Sequence, residues 1–138
     1  MNEKNNEFSF DVRIAYADTD RLGVVYYANY LTLFEKGRTE LLRNMGFRYK
    51  DLEDQHEVFL PVSKAHCHYL HPAKYDDLIR VVTRVSKLGG ASIEFAYDIY
   101  NAEDGKKLAE GTTLHPFVNK LWKPVRVPEF LKKALTPK

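Results

Sequence analysis

Only one long stretch of this 138-residue chain repeats its apolar positions with a helical period, and that sharply restricts the folds open to it. From Ala28 onward, Tyr30, Phe34, Gly37, Leu41 and Met45 recur at three- and four-residue steps, with Leu33 alongside. Lys36, Glu40 and Arg43 fall on or near the opposite side at i,i+4 and i,i+3 spacings. Gly46 follows the last periodic residue, where a left-handed helix stop is expected. Most of the remaining pattern is strand-like. "FSFDVRIAY" puts Phe8, Phe10, Val12 and Ile14 on one face of a strand. After a polar stretch over 49–57, irregular or briefly helical, four more strand patterns follow: "FLPVSKAHCHYL", "LIRVVTRVSK", "ASIEFAYDIY" and "KLAEGTTLHPFVN". In the third, Ala91, Ile93, Phe95, Tyr97 and Ile99 share a face, and Asp104-Gly105 after it marks a hairpin. "VPEFLKKAL" closes the pattern as a short amphipathic helix.

The order is strand, long helix, then four strands on short connections, with no βαβ alternation. It predicts an α+β fold: a mainly antiparallel sheet with one helix across a face. One helix hides only part of one side, so the other face stays polar, is covered by a tail, or packs against another subunit. The length suits one unit over 1–138, and no repeat or linker interrupts it. Gly37 lies mid-helix on the apolar face, where glycine costs ~1 kcal/mol relative to alanine. A small residue that fits the packing is the favoured reading there, over a close approach of the helix to the sheet or to a substrate.

Composition removes several functions. A formal net charge of +2, with basic residues scattered, gives no ground for nucleic-acid or membrane binding. The 13% aromatic content suits a sheet protein. The single cysteine, Cys67, excludes an intrachain disulfide framework and cannot build a zinc cluster alone. There is no apolar run of roughly 18 residues, and "MNEKNNEF" has no signal-peptide core, so no membrane span and a cytoplasmic location are expected.

Three groups carry the residue types that chemistry needs. Asp18 and Asp20 share a face of extended chain just ahead of the helix start. Such a pair holds a turn, binds a metal or divides acid and base roles, and aspartate is first of all a turn and cap residue. Free N–H groups at a helix start favour a developing oxyanion, so a carboxylate beside them could attack, or activate water at, a polarised carbonyl. His66 and His68 alternate on a strand and project to one face, a spacing that zinc sites use. Cys67 points to the other face and no third ligand is placed, so solvent-facing histidines and no metal are expected; His56 and His115 default to structural roles. "KLGGAS", Lys87 to Ser92, offers glycine N–H groups to a phosphate or makes a plain turn. No phosphate-loop, GxGxxG or GxSxG pattern occurs, and no cofactor is expected.

At "YADTDRLGVVYYANYLTLFEKGRTELLR" the chain resembles the hot-dog-fold acyl-CoA thioesterases of the 4-hydroxybenzoyl-CoA thioesterase type. The matching positions are Asp18, Asp20, Gly23, Val24, Val25, Tyr26, Tyr27, Tyr30, Glu35 and Arg38, and the likeness continues through "LPVSKAHCHYLHPAKYDDL". The resemblance implies an antiparallel sheet wrapped around one long helix. It also implies homodimers with a continuous sheet, paired into tetramers, and active sites at the dimer interface. The implied reaction is hydrolysis of an acyl-CoA to a carboxylic acid and free coenzyme A. Asp20 would be the catalytic nucleophile or general base, and the Tyr27 N–H would polarise the thioester carbonyl. Tyr26 and Tyr30 would bind substrate. Many relatives have histidine where Tyr27 stands, which leaves a backbone role intact. A basic cluster that the aromatic-thioester branch carries is replaced by Gly89 and Gly90. Coenzyme A phosphates then fall to backbone groups there, to Lys87, or to another subunit. An acyl carrier protein as acyl donor and a non-catalytic acyl-CoA-binding module are the alternatives.

Overall fold

The structure, a computed structural model, describes residues 7–135. The elements run β1 (Glu7–Arg13), α1 (Asn29–Asn44), α2 (Tyr49–His56), β2 (Lys64–Tyr69), β3 (Leu78–Leu88), β4 (Ser92–Asn101), β5 (Lys107–Pro116) and α3 (Glu129–Leu135). The strands form one antiparallel sheet in the order β1-β3-β4-β5-β2, and α1 lies across one face of it. This is the α+β arrangement that the helix-then-strands order predicts, and it agrees with the hot-dog fold that the resemblance implies. Gly46 ends α1 at φ +95°, and Gly105 turns the β4–β5 hairpin at φ +79°, both conformations that a side chain would strain.

The helix seats its periodic face directly on the central strands. Phe34 is fully buried and stacks flat on Tyr97 of β4, with ring centroids 4.2 Å apart. Gly111 of β5 makes room for that ring, because a Cβ there would run into Phe34 and the His66 carbonyl. Burying a phenylalanine of this size contributes about 2–3 kcal/mol. At Gly37 the favoured expectation is corrected. The helix comes so close to the sheet that a Cβ would overlap Thr83 Oγ1 and lie 3.2 Å from Val81 Cγ1. Close approach is what demands the glycine, and its propensity cost is the smaller one.

The expected strand over 59–70 is shorter than the pattern suggested. β2 starts only at Lys64. Pro61 has no N–H to give a ladder, and Phe59 instead bridges Val118 beyond the end of β5. Similarly, β1 ends at Arg13, where Ile14 turns inward and a 3₁₀ turn begins at Tyr16. The 49–57 stretch is helical, closed by Glu57 in the left-handed region, and the closing helix seats Leu131 and Leu135 in the core. The far face of the sheet is polar. Arg80–Asp11, Arg84–Asp98, Lys107–Asp98 and Lys107–Glu110 pair across it at 2.8, 3.0, 3.0 and 2.6 Å. Exposed pairs of this kind contribute only ~0–1 kcal/mol each, and their consequence is to keep that face wet.

Candidate active site

The segment between β1 and α1 is a small hairpin that builds its own geometry. Asp18 is used up in doing so. Its Oδ2 accepts the Ala15 N–H at 2.8 Å, while its carbonyl accepts the Tyr26 N–H at 3.0 Å and Asn29 Nδ2 at 2.9 Å. Asp20 heads the turn. Its backbone exchanges bonds with Val24 and Gly23, both at 2.9 Å, and Gly23 at φ +81° lets the chain reverse. The Asp20 Oδ1 accepts the Leu22 N–H at 2.8 Å; Oδ2 has no hydrogen-bond partner among the described residues. The two carboxylates are therefore not an equivalent pair: Asp18 is engaged in the turn, and Asp20 keeps one oxygen unengaged among the described residues.

Val24 and Val25 tie the hairpin to the segment after β2, by a bridge to Lys74 and a 2.8 Å bond from the Val25 N–H to the Ala73 carbonyl. The chain then turns into the helix. The carbonyls of Tyr26 and Tyr27 accept the N–H groups of Asn29 and Tyr30 at 2.8 and 3.2 Å. The N–H groups of Tyr27 and Ala28 meet no acceptor among the described residues. They are the orphan donors that open every helix, at the positive end of the 16-residue α1. The Asp20 charge is near enough to help raise the Tyr26 phenol's pKa, behind the larger effect of the hydrogen-bonding Tyr27 hydroxyl.

Aromatic rings surround this point. Tyr26 and Tyr27 are exposed, with centroids 4.9 Å apart. Tyr69, at the end of β2, meets Tyr27 edge-on at 6.3 Å and donates its hydroxyl to the Tyr27 carbonyl at 2.9 Å. Tyr30 is 3% exposed and belongs to the core, so it supports this wall from behind. Tyr69 had no signal in the sequence beyond that of an ordinary strand aromatic.

Lys87, Gly89 and Gly90 do not join Asp20 within one chain. The hairpin that carries Asp20 is tied through Val24 to Lys74, just ahead of the Leu78 end of β3, while these residues sit at or just past its Leu88 end, and β3 spans about 30 Å at strand rise. The Gly89 N–H closes the turn onto the Ser92 carbonyl at 2.8 Å, and Gly90 accepts from the Val127 N–H at 2.8 Å. Arg126, unmarked by the sequence reading, is exposed and shares a shallow cleft with Gly90 and Ala91. His66 and His68 face outward, with His68 Nδ1 3.7 Å from Glu110, and no cluster of three His, Cys, Asp or Glu forms among the described residues.

A buried polar chain runs behind α1. Arg38 Nη1 donates to Tyr97 Oη at 3.4 Å, Tyr97 Oη lies 2.6 Å from Thr113 Oγ1, and Thr113 lies 2.7 Å from His115 Nε2. The His115 Nδ1 is 3.2 Å from the Leu60 carbonyl. Burial, with the Arg38 charge adding to it, pushes the His115 pKa down to about 4, so this imidazole stays neutral. Arg38 also borders a cavity of 290 Å³ between α1 and β2, lined by Leu31, Glu35, Val62, Ala65 and Thr113 among others.

The sequence pattern of the thioesterase-like superfamily matches residues 14–135. The acyl-CoA thioesterase YbgC of Haemophilus influenzae is 45% identical over 91 residues, covering 66% of this chain and 67% of that protein. A probable thioesterase from Bartonella henselae superposes with a TM-score of 0.83 at 35% identity, over 88% of this chain and 99% of that one. A 4-hydroxybenzoyl-CoA thioesterase structure shares the fold, with a TM-score of 0.87 over 95% and 99% of the two chains at 14% identity. With a superfamily pattern that spans nearly every described residue, and a hairpin-to-helix site on a hot-dog sheet, the chain belongs to the thioesterase-like superfamily.

Proposed function

We propose that the protein hydrolyses acyl-CoA thioesters to a carboxylic acid and free coenzyme A, with Asp20 and the Tyr27 N–H as the reacting site. The observation that carries this is the pairing of a half-engaged carboxylate on the hairpin with N–H groups at the helix start that meet no acceptor among the described residues. The N–H groups bind the thioester oxygen as it becomes an oxyanion. Asp20 attacks the carbonyl carbon, or takes the proton of the water that does; the C–S bond breaks and the thiolate leaves and is protonated. If Asp20 attacks, water then cleaves the acyl-aspartyl anhydride. Tyr26 lines the approach to this point, backed by Tyr30. The coenzyme A phosphates are met by the Gly90 side of the turn, since the Gly89 N–H is already engaged, with Lys87 and the neighbouring Arg126, supplied by a second copy of the chain. The placement of the glycine turn at the far end of β3 from the hairpin that carries Asp20 supports that arrangement, and with it a homo-oligomer.

Asp20→Asn tests the assignment. Thiol release from a panel of acyl-CoA esters is expected to fall on the order of 10²-fold or more, with the folded state and oligomer retained. Undiminished turnover overturns it. The same assay with acyl carrier protein thioesters tells which carrier is used, and tight acyl-CoA binding without thiol release identifies a binding module.

A further inference from the structure

We propose that Tyr69 is a positioning residue for the oxyanion-binding N–H groups at the start of α1, a role that rests on the thioesterase reading above. Its phenol crosses from the last position of β2 to the hairpin-to-helix junction and donates to the Tyr27 carbonyl at 2.9 Å. The backbone bond onto the same carbonyl, from the Tyr30 N–H, is long for its type at 3.2 Å, so the side chain adds a second restraint to a weak one. That carbonyl belongs to the planar peptide whose other end is the Ala28 N–H; fixing one end fixes the direction of the other. The same restraint limits the rotation of Tyr27 about its own backbone and hence the aim of the Tyr27 N–H. The preceding peptide is held likewise, by the Asn29 N–H on the Tyr26 carbonyl at 2.8 Å.

Two consequences favour the transition state. Donors already aimed at the developing oxyanion need no reorganisation as charge builds. A hydrogen bond onto a peptide carbonyl also polarises that peptide and strengthens its N–H as a donor. The phenol is itself well held, edge-on to Tyr27 and, with centroids 5.1 Å apart, to the buried Tyr30. Burial and the Cys67 thiol push its pKa up to about 12, so it remains a donor across the working range. No proton leaves Tyr69 at any stage.

Tyr69→Phe keeps the ring and removes only the hydroxyl. In the full-length protein, kcat for thiol release is expected to fall about tenfold with KM within twofold of wild type. The ¹³C resonance of the residue 27 carbonyl, selectively labelled, is expected to move upfield as its hydrogen bond is lost. Retained kcat, a raised KM at constant kcat, an unmoved carbonyl resonance or a collapsed near-UV circular dichroism spectrum would each overturn the role. A wild-type protein that releases no thiol from any ester overturns the thioesterase reading itself, and is recognised without the variant.

Discussion

Asp18 and Asp20 are chemically identical and two residues apart, yet their surroundings divide them. The side chain of Asp18 closes a turn onto Ala15, and that of Asp20 closes one onto Leu22 with its second oxygen left over. Asp18→Ala removes an acceptor from a backbone N–H and is expected to cost ~1 kcal/mol in a urea titration, as the loss of a cap does. Activity should fall by less than in Asp20→Asn. His115 makes a different prediction. Its pKa is held at about 4 in the folded protein against 6.5 when unfolded, so below pH 6.5 the unfolded chain binds the extra proton. Its contribution to stability is whole above pH 6.5 and is lost as pH falls toward 4. Between pH 7 and 5 the unfolding free energy is expected to drop by roughly 1–2 kcal/mol on this account. His115→Gln should flatten that part of the profile; an unchanged slope in urea titrations at the two pH values would falsify the linkage.

At the level of elements, the helix and sheet are fitted to one another at Gly37 and Gly111. Gly37→Ala improves helix propensity by ~1 kcal/mol, yet drives a methyl group into Thr83 Oγ1. Net destabilisation of about 1–2 kcal/mol is expected from thermal melts, as overpacked cores show. Thr83 is fully buried and its hydroxyl has no hydrogen-bond partner among the described residues, so Thr83→Ala removes both the obstacle and an unsatisfied group. The double variant should therefore recover most of the loss, giving a coupling of the sign that contact predicts. The elements themselves were largely legible, because Tyr30–Met45 and Ala91–Ile99 repeat with the periods of a helix and a strand. Their edges were less so. Pro61 stops a pattern that hydrophobicity alone would carry on, and the ladder that Phe59 joins lies with Val118, far along the chain.

Across the whole molecule, β2 is an open edge of the sheet, and beside it lies the groove between α1 and β2. Leu31 and Val62 are 44% and 48% exposed along that groove. An unpaired edge strand with apolar neighbours invites another chain, and stable interfaces bury ~800 Å² per partner. On the two-chain reading proposed above, a second copy seated there would supply what one chain lacks, since a single chain leaves Tyr26 and Tyr27 in solvent and the glycine turn remote. Sedimentation is expected to give a mass of at least twice 16.1 kDa. Val62→Lys together with Ala65→Lys, which charge the groove beside Arg38, should halve the particle and abolish thiol release together. A monomer of full activity would remove the two-chain site.

By itself the sequence determined the long helix and the succession of elements along the chain, because local period encodes both, and the motif that resembles a known family named Asp20 as the residue to test. The tertiary structure decided what depends on distant residues meeting. It showed that Gly37 answers to Thr83, that Tyr69 reaches the Tyr27 carbonyl, and that Arg126 lies beside Gly90. It also separated Lys87 and the Gly89–Gly90 turn from Asp20. These pairings lie 42 residues apart in the case of Tyr69 and Tyr27, a separation at which side-chain chemistry leaves no periodic trace and only packing brings the groups together.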